Sequence, residues 1–375
     1  MKSILIVTGE ASGDLHGATV IRELKKLVGE LKVFGIGGNK LESEGVELVS
    51  HIKDIAVVGF SEIISKIFHI RQKMKLLYQK MIDERPDLCL LIDYPGFNLR
   101  VAKLAQKQGI KVVYYILPQI WAWGRWRVKS IYKWVDKGIS ILPFEHEFYN
   151  YSSKIKFVGH PLLDIIHPQT ERVSSSKMIA FLPGSRKEEI TRILPVMLKC
   201  AEKLSGFEFV IPIATGIDKN WVENFVTSYC NISLHRANKT DANLLNRIKI
   251  VNSATYDVLR NVDLALIASG TATLEACMLE VPSIIIYRVS LFSYILARML
   301  IRIPYIGLPN IIAHENVMPE FIQFNAKPTK IVEAVYQILK DRERVIAVLQ
   351  KAKERLGLPG ASARVAQLLY EVLEG

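Results

Sequence analysis

The sequence predicts an α/β chain made of two Rossmann-like domains facing a cleft. Three observations carry that expectation. Apolar runs of strand length alternate with helix-length amphipathic stretches, and the alternation runs twice, interrupted once by a Ser-rich stretch. The chain has 375 residues, 50% of them hydrophobic and 23% charged, which suffices for two or three buried cores and excludes a disordered chain.

In the first half, Ile4–Val7, Val33–Ile36, Leu88–Ile92, Val112–Ile116 and Ile139–Leu142 read as strands. They are near-continuous apolar runs rather than alternating ones, as expected of a parallel sheet covered on both faces. After Phe157-Val158-Gly159-His160-Pro161, a polar stretch around Ser174-Ser175-Ser176 places a linker at residues 162–176. The rhythm then restarts with Met178–Leu182, Phe209–Ile213, Lys249–Val251, Leu264–Ala268 and Ser283–Ile286. Pro328 to Gly375 is helical in pattern, broken at Gly357-Leu358-Pro359-Gly360. Its last helix carries the apolar stripe Val365, Leu368, Leu369 and Val372, which must pack on the first domain or on a partner subunit. The expected division is a first Rossmann-like domain at residues 1–165, a second at 166–350 and a crossover helix at 351–375.

Composition narrows the partners. Forty-nine Lys and Arg against thirty-seven Asp and Glu give a formal charge of +12, which calls for anionic partners. Cys89, Cys200, Cys230 and Cys277 show no C-x-x-C spacing, so neither a disulfide framework nor a thiolate metal site is expected, and a reducing cytoplasm suits the chain. The eight histidines lack H-x-x-x-H or H-E-x-x-H spacing and Asp-x-Asp is absent, so no metal is expected. Ile4–Val7 meets Gly9 and Glu10 too soon for a signal-peptide core. The most apolar stretch, Val281 to Ala313, is broken by Arg288, Arg298, Arg302 and three prolines, short of the ~18–20 residues that span a bilayer. A soluble or peripheral protein is expected.

The residues that could carry chemistry gather after strands, where open α/β sheets place ligands. Ile4–Val7 runs into Thr8-Gly9-Glu10-Ala11-Ser12-Gly13-Asp14, ahead of a helix expected near Leu15. Gly9 and Gly13 allow close backbone approach, Ser12 or Asp14 can cap the helix, and Glu10 is a spare carboxylate. The spacing is not G-x-G-x-x-G, which argues against a nicotinamide cofactor. An ordinary strand-to-helix turn fits the same residues. Leu88–Ile92 ends in Asp93-Tyr94-Pro95-Gly96-Phe97-Asn98, where partial burial would raise the pKa of Asp93 toward that of a general base. A turn-capping Asp93 is the alternative. Pro118 to Arg127 holds Trp121, Trp123 and Trp126 with Arg125 and Arg127, suited to a sugar, a phosphate or a lipid interface, or to plain aromatic packing. No base-reading module accompanies them, so nucleic acid is not expected.

In the second half, Met178–Leu182 turns through Pro183-Gly184-Ser185-Arg186 into a helix that begins with Lys187-Glu188-Glu189. Helix N-terminal amides with Arg186 suit a diphosphate, while a helix cap with Arg186 paired to Glu189 suits the same residues. The lysine of a P-loop is missing, so an ATP-hydrolysing motor is not supported. Leu264–Ala268 leads to Ser269-Gly270-Thr271-Ala272-Thr273-Leu274-Glu275, whose small residues admit a nucleotide and whose Glu275 can accept from ribose hydroxyls. Two such loops favour a nucleoside-diphosphate donor. Finally, Ile63, Ile64, Ile67 and Phe68 near Lys66 and Arg71, and Phe292 to Leu296 near Arg298 and Arg302, form apolar faces edged by cations. Such faces suit either anionic lipid or an ordinary core.

Taken in order, Gly9-Glu10-Ala11-Ser12-Gly13-Asp14, Asp93-Tyr94-Pro95-Gly96-Phe97-Asn98, Trp121-Ala122-Trp123, Leu182-Pro183-Gly184-Ser185-Arg186, Ser269 to Glu275 and Leu308-Pro309-Asn310 closely resemble the lipid-A-disaccharide synthases. The likeness runs from residue 4 to about residue 373. The resemblance implies the GT-B fold and an inverting, metal-free, cofactor-free condensation of UDP-2,3-diacylglucosamine with 2,3-diacylglucosamine 1-phosphate (lipid X), releasing UDP. It implies Asp93 as base with Glu10 as rival, Arg186 with Gly184 and Ser185 at the departing diphosphate, and Ser12 and Gly13 at substrate. It further implies Ser269, Gly270, Thr271, Ala272, Thr273 and Glu275 on the nucleotide and Asn310 near the diphosphate or sugar. Acyl or membrane contact at Ile63, Ile64, Ile67, Phe68, Phe292, Arg298 and Arg302, on the cytoplasmic face of the anionic inner membrane, and a homodimer through the C-terminal helices complete the expectation. A UDP-sugar 2-epimerase of the same architecture and a basic lipid-binding protein are the rival readings.

Overall fold

The computed structural model describes residues 1–54, 63–122, 124–166, 177–236, 244–252, 254–300 and 303–375; side chains are described for all of these except 63–69, 232–236 and 300. The chain divides into two compact units, Met1–Asp164 with Leu356–Gly375, and Ile165–Arg355.

The first unit alternates β1 (Lys2–Val7), α1 (Ala11–Val28), β2 (Leu31–Gly37), α2 (Asn39–Ser43), β3 (Glu47–His51), α3 (Ile63–Glu84), β4 (Leu88–Ile92), α4 (Pro95–Lys107), β5 (Lys111–Tyr115), α5 (Val128–Trp134), β6 (Lys137–Ser140), α6 (Pro143–Phe148) and β7 (Ile155–Phe157). Its seven strands pair in parallel in the order β3-β2-β1-β4-β5-β6-β7. Because successive side chains point to opposite faces, Leu5 and Val7 pack beneath Leu77, Met81 and Val101, while Ile4 and Ile6 pack with Ile21 and Leu24 of α1. Gly17 brings α1 onto the sheet, since a Cβ there would stand 3.1 Å from Ile92 Cδ1 and 3.3 Å from Ile6 Cδ1.

The second unit repeats the plan with β8 (Met178–Leu182), α7 (Lys187–Ala201), β9 (Glu208–Ile213), α8 (Lys219–Arg236), β10 (Ile248–Asn252), α9 (Thr255–Arg260), β11 (Leu264–Ala268), α10 (Thr271–Met278), β12 (Ser283–Tyr287), α11 (Leu291–Leu300), α12 (Leu308–Ala313), β13 (Glu320–Ile322), α13 (Pro328–Lys340) and α14 (Arg342–Arg355). Its six strands are parallel in the order β10-β9-β8-β11-β12-β13. The ten strands expected from apolar runs are all present. Strands β3, β7 and β13 were not expected, and each is a sheet edge. An edge strand keeps one side open to solvent, so partly exposed segments such as Glu320-Phe321-Ile322 show no apolar run.

The last helix, α15 (Ala361–Glu374), belongs to the first unit of its own chain and lies along α1. Val365, Ala366, Leu369 and Leu373 are buried among Ile21, Leu24, Val113 and Tyr115, while Leu368 and Val372 are half-buried. Its N-terminus is held by Asp164, whose carboxylate accepts from the amides of Gly360 (2.5 Å), Ala361 (3.2 Å) and Ser362 (3.0 Å). Its C-terminal carbonyls accept from Lys2 and Lys111, cations placed where the helix dipole favours them. Pro161–Asp164, whose last three residues the sequence places in the linker, forms a turn of 3-10 helix that is part of this docking site.

Candidate functional site

In the first unit the chain leaves β1 for β2 on one side and later returns to β4 on the other, so the loops after β1 and β4 adjoin at the point where the winding reverses. Such a switch point is the ligand-binding edge of an open parallel sheet. Glu10, exposed, comes from one loop and Asp93, half-buried, from the other. Burial first, and then the Glu10 carboxylate, push the Asp93 carboxyl up; the Tyr94 amide pulls it back in part. Asp93 and Tyr94 take left-handed backbone conformations, φ 48° and 50°. The strain is held by the fully buried Asn98, whose Nδ2 donates to the Asp93 carbonyl (2.7 Å) and the Ile92 carbonyl (3.1 Å). The Tyr114 hydroxyl adds a 2.6 Å bond to the same Asp93 carbonyl. Asn98 lay within a motif noted in the sequence, but its bracing role needed the turn geometry, and Tyr114 is remote in sequence.

Helix α1 begins at Ala11, four residues before the expected start, with Ser12 exposed and Gly13 buried in its first turn. Asp14 does not cap its own helix. Its buried carboxylate accepts from the amides of Gly38 (2.6 Å), Lys40 (3.0 Å) and Leu41 (3.2 Å), capping α2 instead. Ser12 makes no capping bond either. Trp121 is buried rather than offered to a ligand, its Nε1 donating to Glu145 (3.2 Å) and its ring standing edge-on to Phe144. Burial pushes that Glu145 carboxyl up to about 8. Trp126 is exposed, with the Arg127 guanidinium over its ring, and Trp123 lies outside the described residues.

The second unit has its own switch point, between β8 and β11. After β8, Gly184 turns with φ 121° and closes on Glu189, where a Cβ would stand 2.5 Å from Oε2. That carboxylate accepts the Ser185 amide at 3.0 Å and lies 3.6 Å from the Arg186 guanidinium, which is 74% exposed. The loop therefore contains the pairing of Arg186 with Glu189, without a side-chain cap at the first turn of α7, and Arg186 is still open to an anion. After β11, Ser269 is half-buried, Gly270 and Thr271 are exposed and Ala272 is half-buried. The buried Thr273 turns its hydroxyl back to the Gly270 carbonyl at 2.8 Å, tightening the turn. Glu275 accepts from the Tyr256 hydroxyl at 3.1 Å, and burial pushes its carboxyl up against the pull of that bond. Tyr256, absent from the sequence expectations, fixes the rotamer of Glu275.

Asn310, expected beside the diphosphate or sugar, is fully buried with both ends of its amide engaged. Nδ2 donates to the Met318 carbonyl (2.7 Å) and Glu320 (2.9 Å), and Oδ1 accepts the Met318 amide (2.8 Å). It shapes its loop from within instead of reaching outward. Of the acyl and membrane residues, Phe292 and Arg298 are exposed on α11, Ile63, Ile64, Ile67 and Phe68 lie in α3 where side chains are outside the described residues, and Arg302 is outside them altogether. Among the described residues no helix is long and apolar enough to cross a membrane.

Comparison with known proteins places these two switch points in context. The family model described as lipid-A-disaccharide synthetase matches residues 4–367. The lipid-A-disaccharide synthase of Syntrophus aciditrophicus is 40% identical, covering 100% of this chain and 98% of its own, and that of Geobacter sulfurreducens is 37% identical, covering 99% and 97%. Among solved structures, an S. aureus MnaA–UDP co-structure superposes with a TM-score of 0.64 at 15% identity over 100% of this chain and 97% of that one. A calicheamicin glycosyltransferase gives 0.63 at 14% identity over 100% and 98%. These structural likenesses show the fold, GT-B, with its two Rossmann-like domains. With its sequence matched from end to end, the chain belongs to the lipid-A-disaccharide synthase family.

Proposed function

We propose that this chain transfers a 2,3-diacylglucosaminyl group from UDP to the 6-hydroxyl of 2,3-diacylglucosamine 1-phosphate (lipid X), with inversion, giving the β-1′,6-linked disaccharide 1-phosphate and UDP in lipid A biosynthesis. The observation that carries this reading is Asp93, a carboxyl raised by burial at the switch point of a chain matched by the family model over residues 4–367. In the reaction, Asp93 takes the proton of the acceptor hydroxyl as its oxygen bonds the anomeric carbon, and the bond from that carbon to the UDP oxygen breaks. A base placed so contributes about 10²–10⁴-fold. The electron pair leaves with UDP, where Arg186 and the α7 N-terminus offset the growing charge. The Ser269–Thr273 turn and Glu275 hold the nucleotide, and Ser12 and Gly13 lie where substrate meets α1.

Both substrates are acylated, and the exposed apolar residues of α11 beside Arg298 support contact with an anionic membrane. We place the protein on the cytoplasmic face of the inner membrane, as a peripheral protein. A homodimer formed by exchange of α15 belongs to the same reading, because the Asp164 cap and the α1 groove would receive the identical helix from a second copy.

The test is UDP release from UDP-2,3-diacylglucosamine with and without lipid X, for wild type and Asp93→Asn. Release that needs lipid X and falls at least 100-fold in the variant is expected. Consumption of UDP-N-acetylglucosamine without an acceptor would favour the epimerase, and absence of any turnover by the wild type the lipid-binding protein.

A further inference from the structure

At the carboxyl ends of β12 and β13 lies an open cavity of about 130 Å³, lined by Ile303, Ile306 and Ile322 together with Tyr287, Tyr294 and Tyr305. Its one carboxylate, Glu320, is already engaged, accepting the amides of Ile306 (2.9 Å) and Gly307 (2.9 Å) and the Asn310 Nδ2 (2.9 Å). What remains is an apolar lining with phenol hydroxyls and Arg298. From the mouth, the exposed side chains of Ile295, Leu296 and Met299 continue the apolar surface along α11, with Phe292 at 77% exposure beyond them. On the strand side the cavity's Tyr287 follows Ile286, whose carbonyl accepts the Ser269 amide (3.1 Å), so the cavity lies beside the turn after β11.

We propose that this cavity seats the first carbons of an acyl chain carried by the glycosyl donor, whose remainder runs along the exposed face of α11. The proposal rests on the donor being an acylated nucleotide sugar, as argued above. A sugar or a phosphate would set its hydroxyls or charge against the isoleucines without partners, which is costly. An alkyl chain gains from the same isoleucines, and the tyrosine hydroxyls match the carbonyl where the chain joins the sugar. Tyr287 of the cavity stands next to the Ser269 turn that holds the nucleotide in the reading above, so one donor reaches both.

The experiment compares kcat/KM for tetradecanoyl and butyryl forms of UDP-2,3-diacylglucosamine, with lipid X, in mixed micelles of a non-ionic detergent. Each added methylene that the cavity buries raises wild-type kcat/KM about fourfold, equivalent to ~0.8 kcal/mol. Ala297→Trp, which fills the cavity from α11, is expected to cut the long-over-short preference at least tenfold while the Kd for UDP stays within twofold. Tyr294→Ala, which widens the cavity, changes the same ratio and guards against a folding defect in the first variant. An unchanged preference in both variants overturns the proposal, including the case where Ala297→Trp loses only its binding to anionic vesicles. If wild type transfers neither donor, the enzymatic reading fails by itself. Calorimetric titration with the tetradecanoyl donor then decides the cavity, which stands if that donor binds more tightly than UDP and Ala297→Trp removes the difference, and falls otherwise.

Discussion

The ring of Tyr94 lies directly over Gly9, so close that a Cβ on residue 9 would stand 2.2 Å from Tyr94 Cγ. Gly9 follows β1 and Tyr94 follows β4, so this contact joins the two loops of the switch point and sets where Asp93 sits. Gly9→Ala must therefore displace Tyr94. Overpacking of this kind costs about 1–3 kcal/mol. We expect kcat/KM to fall at least tenfold and the melting temperature to drop, with Gly9→Ala/Tyr94→Ala recovering part of the stability lost in the single variant. A double-mutant cycle with no coupling would show that the ring does not transmit the change.

In the proposed reaction Asp93 acts as a base only when ionised, and both burial and Glu10 raise its pKa. The acid limb of the kcat/KM profile therefore lies above the ordinary carboxylate range. Glu10→Gln removes one of the raising influences, so the limb moves to lower pH while the alkaline limb stays. A limb that stays in place would assign the titration to another group.

Arg186 faces solvent next to Glu189, in position to meet an anion. Arg186→Ala should weaken UDP binding and slow transfer, costing about 1.5–3 kcal/mol as the loss of a charge-assisted bond. Equilibrium titration with UDP measures the first effect directly. Glu189→Gln should do the opposite for UDP affinity, since it removes a negative charge beside the loop.

The α15 contact with α1 makes the C-terminus part of the first unit's core. Leu369 is fully buried there, and Leu369→Ala should cost 2–5 kcal/mol in denaturant unfolding. Asp164→Ala removes the helix cap and should cost about 0.5–2 kcal/mol. A chain ending before Gly360 should lose cooperative unfolding of the first unit.

His16 and His160 lie buried near Asp164, and burial lowers them to about 4 and about 3. Unfolded, each titrates near 6.5, so below that pH the unfolded chain takes up protons that the folded chain refuses. Stability should therefore fall as pH drops from 6.5 toward 4, by up to ~1.4 kcal/mol per pH unit for each histidine. Glu145, raised to about 8, works against the histidines, because folded it keeps a proton that the unfolded chain has lost; unfolding of wild type and His160→Asn at pH 7 and pH 5 isolates the histidine, the variant losing less stability between the two.

Much of this was legible in the residues. Continuous runs such as Leu88-Cys89-Leu90-Leu91-Ile92 marked strands because a strand covered on both faces can carry only apolar side chains, and the acid that follows had to stand at the sheet edge. Three edge strands, β3, β7 and β13, escaped because solvent on one side relaxes that demand. Asp14, Asn98, Asn310 and Tyr256 show the other limit. Their side chains bond to groups in distant segments or across folded turns, and a short polar side chain satisfies a cap, a brace or a ligand equally well until its neighbours are fixed.

The sequence by itself determined the two parallel-sheet units, the loops that bear Asp93, Glu10, Arg186 and Glu275, and the family. Tertiary structure alone decided that Asp14 caps α2, that Asn310 points inward, that Trp121 is buried against Glu145, and that α15 packs against α1. The reason is physical: hydrophobic periodicity is local and survives in the order of residues, whereas the partner of a hydrogen bond is chosen by whichever group the completed fold brings within 3 Å.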